Sequence, residues 1–186
     1  MAVPTRKNPR LTGYDYSQNG VYFVTVCTKD RANLLSTVGR GLAPAAGLAP
    51  ATGLAPAAPT IALSLIGEIL EAQLLSLPQR YPNVTIEKFI IMPNHLHLLF
   101  SFDDTAGASP RPTLSEVVCT CKSLTTRLAN IAEHQPGRKI FQTSFYDEII
   151  RNDTHFLNVW QYIDANPAGW TEDEYYKGDA GNDTKI

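Results

Sequence analysis

Two long β-prone segments separated by one tight turn constrain the fold of this chain more than any other feature. Residues 84–92 (VTIEKFIIM) and residues 95–102 (HLHLLFSF) are rich in β-branched, aromatic and leucine side chains, which favour strands. Only Pro93 and Asn94, two turn-forming residues, lie between them. This spacing predicts a β-hairpin, because so short a connection brings the second strand back antiparallel to the first.

Further strands are predicted on both sides of this hairpin. Residues 21–28 (VYFVTVCT) follow the turn-forming residues SQNG, and residues 144–150 (SFYDEII) form the last apolar segment of strand length. Two short flanks, residues 34–38 and 60–64, are typical of the arms of a second hairpin whose turn has expanded.

Helices are predicted between the strands. Ser64 can cap a helix with an apolar stripe that continues until Pro78 ends it. Thr113 and Glu116 form a capping box that opens a second helix, again with an apolar stripe. The order strand, helix, strand, strand, helix, strand predicts an α+β, ferredoxin-like fold: a split βαβ antiparallel sheet with two helices on one face and an added C-terminal helix.

Length and composition predict one domain over residues 1–186, because a chain of this size with 44% hydrophobic residues can bury one continuous core. Residues 41–59 (GLAPAAGLAPATGLAPAAP) repeat a six-residue unit three times, with a proline in each that interrupts helix and strand alike. We predict a solvated low-complexity loop there, with a partner-binding loop as the alternative. Residues 171–186 are predicted to form a flexible, acidic tail.

Charge and cysteine content limit the classes of function. Sixteen basic and eighteen acidic residues give a net charge of -2, so nucleic-acid binding would depend on local basic patches. Cys27, Cys119 and Cys121 are an odd number of cysteines in apolar surroundings, which argues against a disulfide framework and favours a reducing compartment. No stretch approaches the ~18 apolar residues of a membrane span, and no apolar signal segment follows the N-terminus. We expect a soluble, cytoplasmic protein with no membrane partner.

Two histidines lie two residues apart in the second strand of the first hairpin. Side chains alternate along a strand, so His95 and His97 point to one face while Leu96 and Leu98 point to the other. Neutral imidazoles at this spacing can both turn a nitrogen toward one divalent cation. The alternative is a pair of polar residues on the open face of a sheet, since two ligands alone do not complete a metal site.

Candidates for a third ligand are less specific. Cys119 and Cys121 lie roughly 200° apart around the axis of the predicted second helix, so they cannot bind one ion together and are better interpreted as core residues. His134, in a loop, and His155, at a helix start, are each typical of surface residues.

The third predicted helix carries two more candidates. It runs from about Thr154 to near Asn166, because Pro167 disfavours helical geometry in the residue before it. Tyr162 and Asn166 lie one helical turn apart on the flank of its apolar stripe, so both could address one site. Asn166 offers an oxygen that suits a hard cation, and Tyr162 offers a hydroxyl nucleophile. A tyrosine on a helix flank and an asparagine that ends a helix are the alternative interpretation.

Five segments of the sequence together resemble the single-tyrosine, His-hydrophobic-His (HUH) transposases, specifically the REP-associated tyrosine transposases of bacterial chromosomes. In chain order they are residues 14–28 (YDYSQNGVYFVTVCT), 93–100 (PNHLHLLF), 122–127 (KSLTTR), 141–152 (FQTSFYDEIIRN) and 161–167 (QYIDANP). The resemblance covers nearly the whole chain except the repeat insertion and the tail after about Trp170. It implies a ferredoxin-like fold, in agreement with the order of elements above.

The resemblance also implies an activity. The chain would be a metal-dependent single-stranded DNA endonuclease and strand transferase that acts through a 5′-phosphotyrosine intermediate on hairpin-forming repeat DNA. By this resemblance His95, His97 and Asn166 would be the protein ligands of Mg²⁺ or Mn²⁺, and Tyr162 would be the nucleophile. The expected partner is single-stranded or hairpin DNA, with a homodimer left open.

A DNA-binding surface must be locally positive. Its candidates are basic residues at the N-terminus and around the second helix: Arg6, Lys7, Arg10, Lys122, Arg127, Arg138 and Lys139. Each of them could equally be a solvated surface charge. Tyr146 competes with Tyr162 as nucleophile, but its place inside an apolar strand indicates a structural role.

Two other functions stay open from the sequence. A DNA-hairpin-binding protein that does not cleave would keep the histidines and would not need Tyr162. A zinc-dependent hydrolase that uses the histidine pair would need a third ligand such as His134 or His155.

Overall fold

The computed structural model describes residues 19–40, 59–103 and 112–176 of the chain. Its strands are β1 (Gly20–Cys27), β2 (Ser36–Arg40), β3 (Pro59–Leu63), β4 (Val84–Ile91), β5 (His95–Phe102) and β6 (Tyr146–Ile150). Its α-helices are α1 (Leu65–Leu75), α2 (Leu77–Arg80), α3 (Leu114–Ala132) and α4 (Asp153–Ala165).

Four antiparallel strands form the central sheet, in the order β4-β5-β1-β6. The first and third of these strands along the chain, β1 and β5, lie at the centre, and the second and fourth, β4 and β6, form the edges. This strand order is that of the split βαβ arrangement. The α+β, ferredoxin-like fold predicted from the sequence is therefore confirmed.

Both predicted hairpins are present. β4 pairs with β5 along its length, with a register shift between Ile86 and Lys88 that marks a β-bulge. β2 pairs with β3 as a separate two-stranded sheet. The repeat segment between these two arms, residues 41–58, lies outside the described residues.

The two faces of the sheet carry different helices. On one face, Leu96 and Leu98 of β5 belong to the main hydrophobic core, to which α1 and α3 contribute. On the other face, Leu99 packs with Val159 and Ile163 of α4 in a smaller core. Since His95 and His97 share the face of Leu99, α4 is the helix that covers the histidine-bearing side.

Leu35 links the start of α1 to the turn before β5. Its N–H donates to the Pro93 carbonyl at 2.9 Å, and its own carbonyl accepts from the Ser64 N–H at 2.9 Å. Ser64 caps α1 as predicted, because its Oγ accepts from the Gly67 N–H at 3.1 Å. A β-carbon on Gly67 would stand 2.0 Å from the Leu35 carbonyl oxygen, so this close approach requires glycine.

Two helix boundaries differ from the sequence predictions. Pro78 does not end the first helix: α1 stops at Leu75, and Pro78 lies in the first turn of α2, where its missing N–H is not needed. α4 begins one residue before the predicted Thr154, because the Asn152 side chain caps it. The capping box that was predicted at the start of α3 is confirmed.

The cysteines are all free, and they differ in exposure. Cys121 is buried, as predicted for a core residue, whereas the prediction for Cys119 is wrong because this thiol is exposed.

Across the described ranges, no helix has both the length and the apolar character needed to cross a membrane.

Candidate metal and nucleophile site

The histidine pair lies at the centre of the sheet, under α4. His95 and His97 are both buried, and their ring centroids are 4.5 Å apart. The register of β1 against β5 places Thr25 opposite His97. The i, i+2 spacing on a strand therefore brings the two rings together on one face, as the sequence predicted.

The buried Asn94 side chain determines which nitrogen of His95 carries the hydrogen. Its amide nitrogen donates to the carbonyls of Tyr175, at 2.8 Å, and Arg31, at 3.3 Å. Its Oδ1 consequently faces His95 Nδ1, at 3.0 Å, and can only accept. His95 Nδ1 must then be the protonated nitrogen, which leaves Nε2 with a bare lone pair, the form of imidazole that binds a metal.

His97 is held between two hydroxyl groups. Its Nδ1 lies 2.9 Å from Thr25 Oγ1, and its Nε2 lies 3.3 Å from the hydroxyl of Tyr162. The Phe23 ring stacks on the imidazole with centroids 5.2 Å apart, which fixes the plane of the ring. The structure thus brings Tyr162 of α4 directly to the histidine pair.

Burial keeps both imidazoles neutral at physiological pH. It lowers the pKa of His95 to about 4, although the nearby Asp173 carboxylate opposes the shift. Burial, and then the proximity of His95, hold the pKa of His97 well below its ordinary value. No proton therefore has to be displaced before these nitrogens bind a cation near pH 7.

Packing and one cation fix α4 over the sheet. Val159 and Ile163 are buried, and Lys88 of β4 reaches up to the helix. Its Nζ lies 2.6 Å from Asp164 Oδ1 and 4.1 Å from the centroid of the Trp160 ring. These contacts hold the turn of α4 that carries Tyr162, whose side chain is still 43% exposed.

Asn166 lies one helical turn after Tyr162. Its side chain is buried, and its Oδ1 accepts no hydrogen bond from the residues that the structure describes. Its amide nitrogen donates to Asp173 Oδ2 at 3.2 Å, which fixes the orientation of the amide. Within the described part of the chain, neither Asn166 Oδ1 nor His95 Nε2 has a hydrogen-bond partner, although both are buried. Two buried, unpaired acceptors in one site indicate a missing cation or donor.

Asp173 is a candidate site residue that no sequence pattern indicated. One ligand atom from each of His95, His97 and Asp173 lies within 4.8 Å of the others. The Tyr175 N–H donates to Asp173 Oδ1 at 2.7 Å and holds the carboxylate in place. The chain reverses after α4 through the short helix Trp170–Glu172, and only this turn brings Asp173 back to the histidines. No local spacing in the sequence encodes that return.

The environment of Tyr162 is acidic. A cavity of about 390 Å³ lies beside it, lined by Asn166, Glu172, Asp173 and Glu174 among others. Burial, and then the Asp173 and Glu174 carboxylates, raise the pKa of the Tyr162 hydroxyl. The phenol is therefore protonated in the resting protein.

Residues 171–176, predicted as the start of a flexible tail, pack against the site. The Tyr175 ring lies 4.7 Å from the His95 ring, and the Arg31 guanidinium lies 4.7 Å from the centroid of Tyr175. Arg31 also donates to the Glu174 carbonyl at 2.9 Å. Residues 177–186 lie outside the described residues.

Comparisons with known proteins agree with this fold. No protein-family model matches the sequence. An uncharacterized protein of Haemophilus influenzae is 25% identical over 187 residues, which cover 92% of this chain and 93% of the relative. A solved structure of a REP-associated tyrosine transposase bound to a REP hairpin is similar with a TM-score of 0.56 at 17% identity, over 86% of this chain and 73% of that chain. This chain shares the fold of that transposase. The resemblance that the sequence motifs suggested is thereby confirmed in the fold.

Neither of the other two candidate histidines, His134 and His155, belongs to the group of His95, His97 and Asp173. His134 is exposed after the end of α3, and His155 Nε2 lies 3.4 Å from Glu148 Oε1. In the described ranges, His95, His97 and Asp173 form the group of side chains that could hold a metal ion.

The predicted DNA-binding residues divide into three groups. Arg6, Lys7 and Arg10 lie outside the described residues. Arg138 forms an ion pair with Glu133 and donates to Asn130, so its charge is largely compensated. The remaining three, Lys122, Arg127 and Lys139, line one cavity of about 470 Å³ between α3 and residues 139–143.

Proposed function

We propose that this protein is a metal-dependent single-stranded DNA endonuclease and strand transferase that acts through Tyr162, with hairpin-forming DNA as its substrate. The observation that carries the proposal is the position of the Tyr162 hydroxyl, 3.3 Å from His97 Nε2 and beside two buried, unpaired acceptors. A nucleophile next to a candidate cation site is the arrangement that phosphodiester transfer needs. The REP-associated tyrosine transposase of the same fold is bound to a REP hairpin.

The side chains in the site fit a divalent cation. His95, His97, Asn166 and Asp173 would hold it, with two imidazole nitrogens and two oxygens as donors. This mixed set suits Mn²⁺, and its oxygen donors suit Mg²⁺. When bound, such an ion would withdraw charge from a non-bridging phosphate oxygen and so favour attack at phosphorus.

Tyr162 supplies the covalent step. Its phenolic oxygen would bond to phosphorus while the bond from phosphorus to the 3′-oxygen breaks, leaving a 5′-phosphotyrosine and a free 3′-hydroxyl. Because the pKa of Tyr162 is raised, the phenol is still protonated when it attacks; its proton would pass to water as the new bond forms, and the departing 3′-oxygen would take a proton from water. Attack by another 3′-hydroxyl reverses the step, so strand joining would need no nucleotide cofactor.

A covalent adduct tests the proposal directly. Incubation with a single-stranded hairpin oligonucleotide and Mn²⁺ should give a protein–DNA adduct that survives denaturant, and a chelator should abolish it. Tyr162→Phe removes only the hydroxyl and should abolish the adduct. Tyr81→Phe is the matched control, because it removes the hydroxyl of a tyrosine that packs against the main core on the other face of the sheet, and it should leave the adduct unchanged. An adduct that persists in Tyr162→Phe would contradict the assignment of the nucleophile.

A second function, DNA-hairpin binding without cleavage, is favoured by one observation. Glu172, Asp173 and Glu174 line the cavity beside Tyr162, and their charge repels a phosphate as long as no cation is present. Tight binding of hairpin DNA, with no adduct for any oligonucleotide in the presence of Mn²⁺ or Mg²⁺, would support this second function over the first.

A further inference from the structure

Tyr146, Thr25 and His97 lie in one row across three neighbouring strands of the sheet. β6 pairs with β1 at Tyr146 and Thr25, and β1 pairs with β5 at Thr25 and His97. Directly opposed residues of antiparallel strands point to the same face, so the Tyr146 ring lies on the histidine-bearing side of the sheet. Two interstrand spacings separate it from His97 in the backbone, about 10 Å.

The Tyr146 ring is exposed although it lies on a strand of the central sheet. Its side chain is 54% accessible, whereas its place inside an apolar strand predicted a structural role. The pleat explains the difference: the neighbouring Asp147 and Phe145 are buried, and Tyr146 points the opposite way. The ring therefore provides an open aromatic surface beside the site.

A cleft of about 230 Å³ adjoins this ring. It is lined by Tyr146, Thr25, Arg31, Gln142, Ser144 and Tyr175 among others. Arg31 contributes a cation for which no carboxylate partner is found in the described ranges, and it lies over the Tyr175 ring. An aromatic wall, a cation and polar side chains are the groups that bind an unpaired nucleotide: the base stacks and the phosphate pairs with the cation.

We propose that this cleft is a subsite for one unpaired nucleotide that flanks the scissile phosphate, with its base stacked on Tyr146 and its phosphate beside Arg31. The inference rests on the proposed function, since it takes single-stranded DNA as the substrate. An unpaired nucleotide is required, because a base inside a duplex has no free face to offer the ring. Stacking on one ring discriminates little between bases, so the subsite contributes affinity more than sequence preference.

A basic surface adjoins this cleft on the side away from Tyr162. Gln142 lines both this cleft and the larger cavity that contains Lys122, Arg127 and Lys139. Lys122 donates to the Gln142 and Thr143 carbonyls at 2.7 and 3.0 Å, which holds the segment between the two cavities against α3. A strand that leaves the Tyr146 subsite in this direction would meet positive charge rather than the acidic cavity beside Tyr162.

The test measures the affinity for oligothymidylate, a single strand that forms no hairpin, by fluorescence anisotropy at fixed salt. All variants carry Tyr162→Phe, so that no adduct can form. Tyr146→Ala should weaken binding by about tenfold, while Tyr146→Phe, which keeps the aromatic face, should bind like the parent. Leu75→Ala is the matched control, because Leu75 is 59% exposed at the end of α1, on the opposite face of the sheet. It should not change the affinity.

An abasic deoxyribose-phosphate chain separates stacking from indirect effects. Removal of the bases should weaken binding by the parent. Tyr146→Ala should then bind the abasic chain no worse than the parent does, because loss of the base and loss of the ring remove the same stacking contact. Equal affinity of Tyr146→Ala and the parent for oligothymidylate would overturn the subsite, even if an adduct through Tyr162 forms. Tyr146-dependent binding, combined with no adduct in the protein that retains Tyr162, would leave the nucleotide subsite standing and overturn the cleavage activity.

Discussion

At the scale of single residues, the candidate site depends on side chains that orient others. Asn94 donates two hydrogen bonds to backbone carbonyls, which leaves only its side-chain oxygen for His95. Partners of metal-binding histidines set the tautomer and the ring orientation, and their loss commonly costs 10- to 100-fold in metal affinity. Asn94 is thus a positioning residue for the proposed cation site.

We expect Asn94→Leu to lower the affinity for Mn²⁺ by about 10- to 100-fold, because the His95 ring loses the acceptor that fixes its tautomer. Isothermal titration calorimetry measures the affinity, and circular dichroism checks that the variant is folded. Nitrogen chemical shifts of the imidazoles in the metal-free parent protein provide a check that needs no variant. A His95 ring protonated at Nε2 there would contradict this account.

The residues that the sequence predicted and those that it missed differ in how they reach the site. His95 and His97 share a strand, and Tyr162 and Asn166 share a helix, so periodicity alone places each pair on one face. Asp173, Arg31 and Asn94 reach the site through turns and backbone carbonyls. Those contacts depend on tertiary structure, and no spacing in the chain encodes them.

At the scale of secondary-structure elements, the position of the histidine strand depends on the packing of α1 against a loop. Leu35 joins the first residues of α1 to the turn that precedes His95, and Ser36 Oγ donates to the Ile91 carbonyl at 2.8 Å. The sequence predicted α1, β2 and the hairpin as separate elements. Their mutual distance is set at Gly67, where the backbone of the helix approaches the Leu35 carbonyl.

We expect Gly67→Ala to destabilise the fold by about 3 kcal/mol or more, the upper end of the range for overpacking, because backbone rather than a flexible side chain would have to move. Guanidinium denaturation followed by circular dichroism measures the change in the free energy of unfolding. Gly20→Ala is the control: the nearest atom to its added β-carbon is 3.7 Å away, in the Tyr22 ring, so we expect a change below about 1 kcal/mol. Equal effects of the two variants would contradict the importance of the α1 contact.

At the scale of the whole molecule, a net charge of -2 conceals a separation of charge. Three carboxylates, Glu172, Asp173 and Glu174, line the cavity beside Tyr162, and three cations line the cavity between α3 and residues 139–143. Composition could not predict this separation, because it arises when the turn after α4 and the helix α3 take their places around the sheet. The acidic side suits a cation, and the basic side suits the backbone of a nucleic acid.

The salt dependence of DNA binding measures how much of this basic cavity contacts phosphates. For single-stranded DNA the logarithm of the affinity falls with the logarithm of salt concentration, with a slope of about -0.7 for each phosphate neutralised. In a Tyr162→Phe background with chelator, the double variant Arg127→Gln, Lys139→Gln should therefore lower the magnitude of the slope by about 1.4.

Neither the Arg127 nor the Lys139 side chain has a carboxylate within ion-pair distance in the described part of the chain, so loss of either charge should leave the fold unchanged. Arg80→Gln, at the end of α2 and outside the cavity, should leave the slope at the parent value. An unchanged slope in the double variant would place the DNA backbone elsewhere, because counterion release counts phosphate contacts whatever the sequence of the DNA.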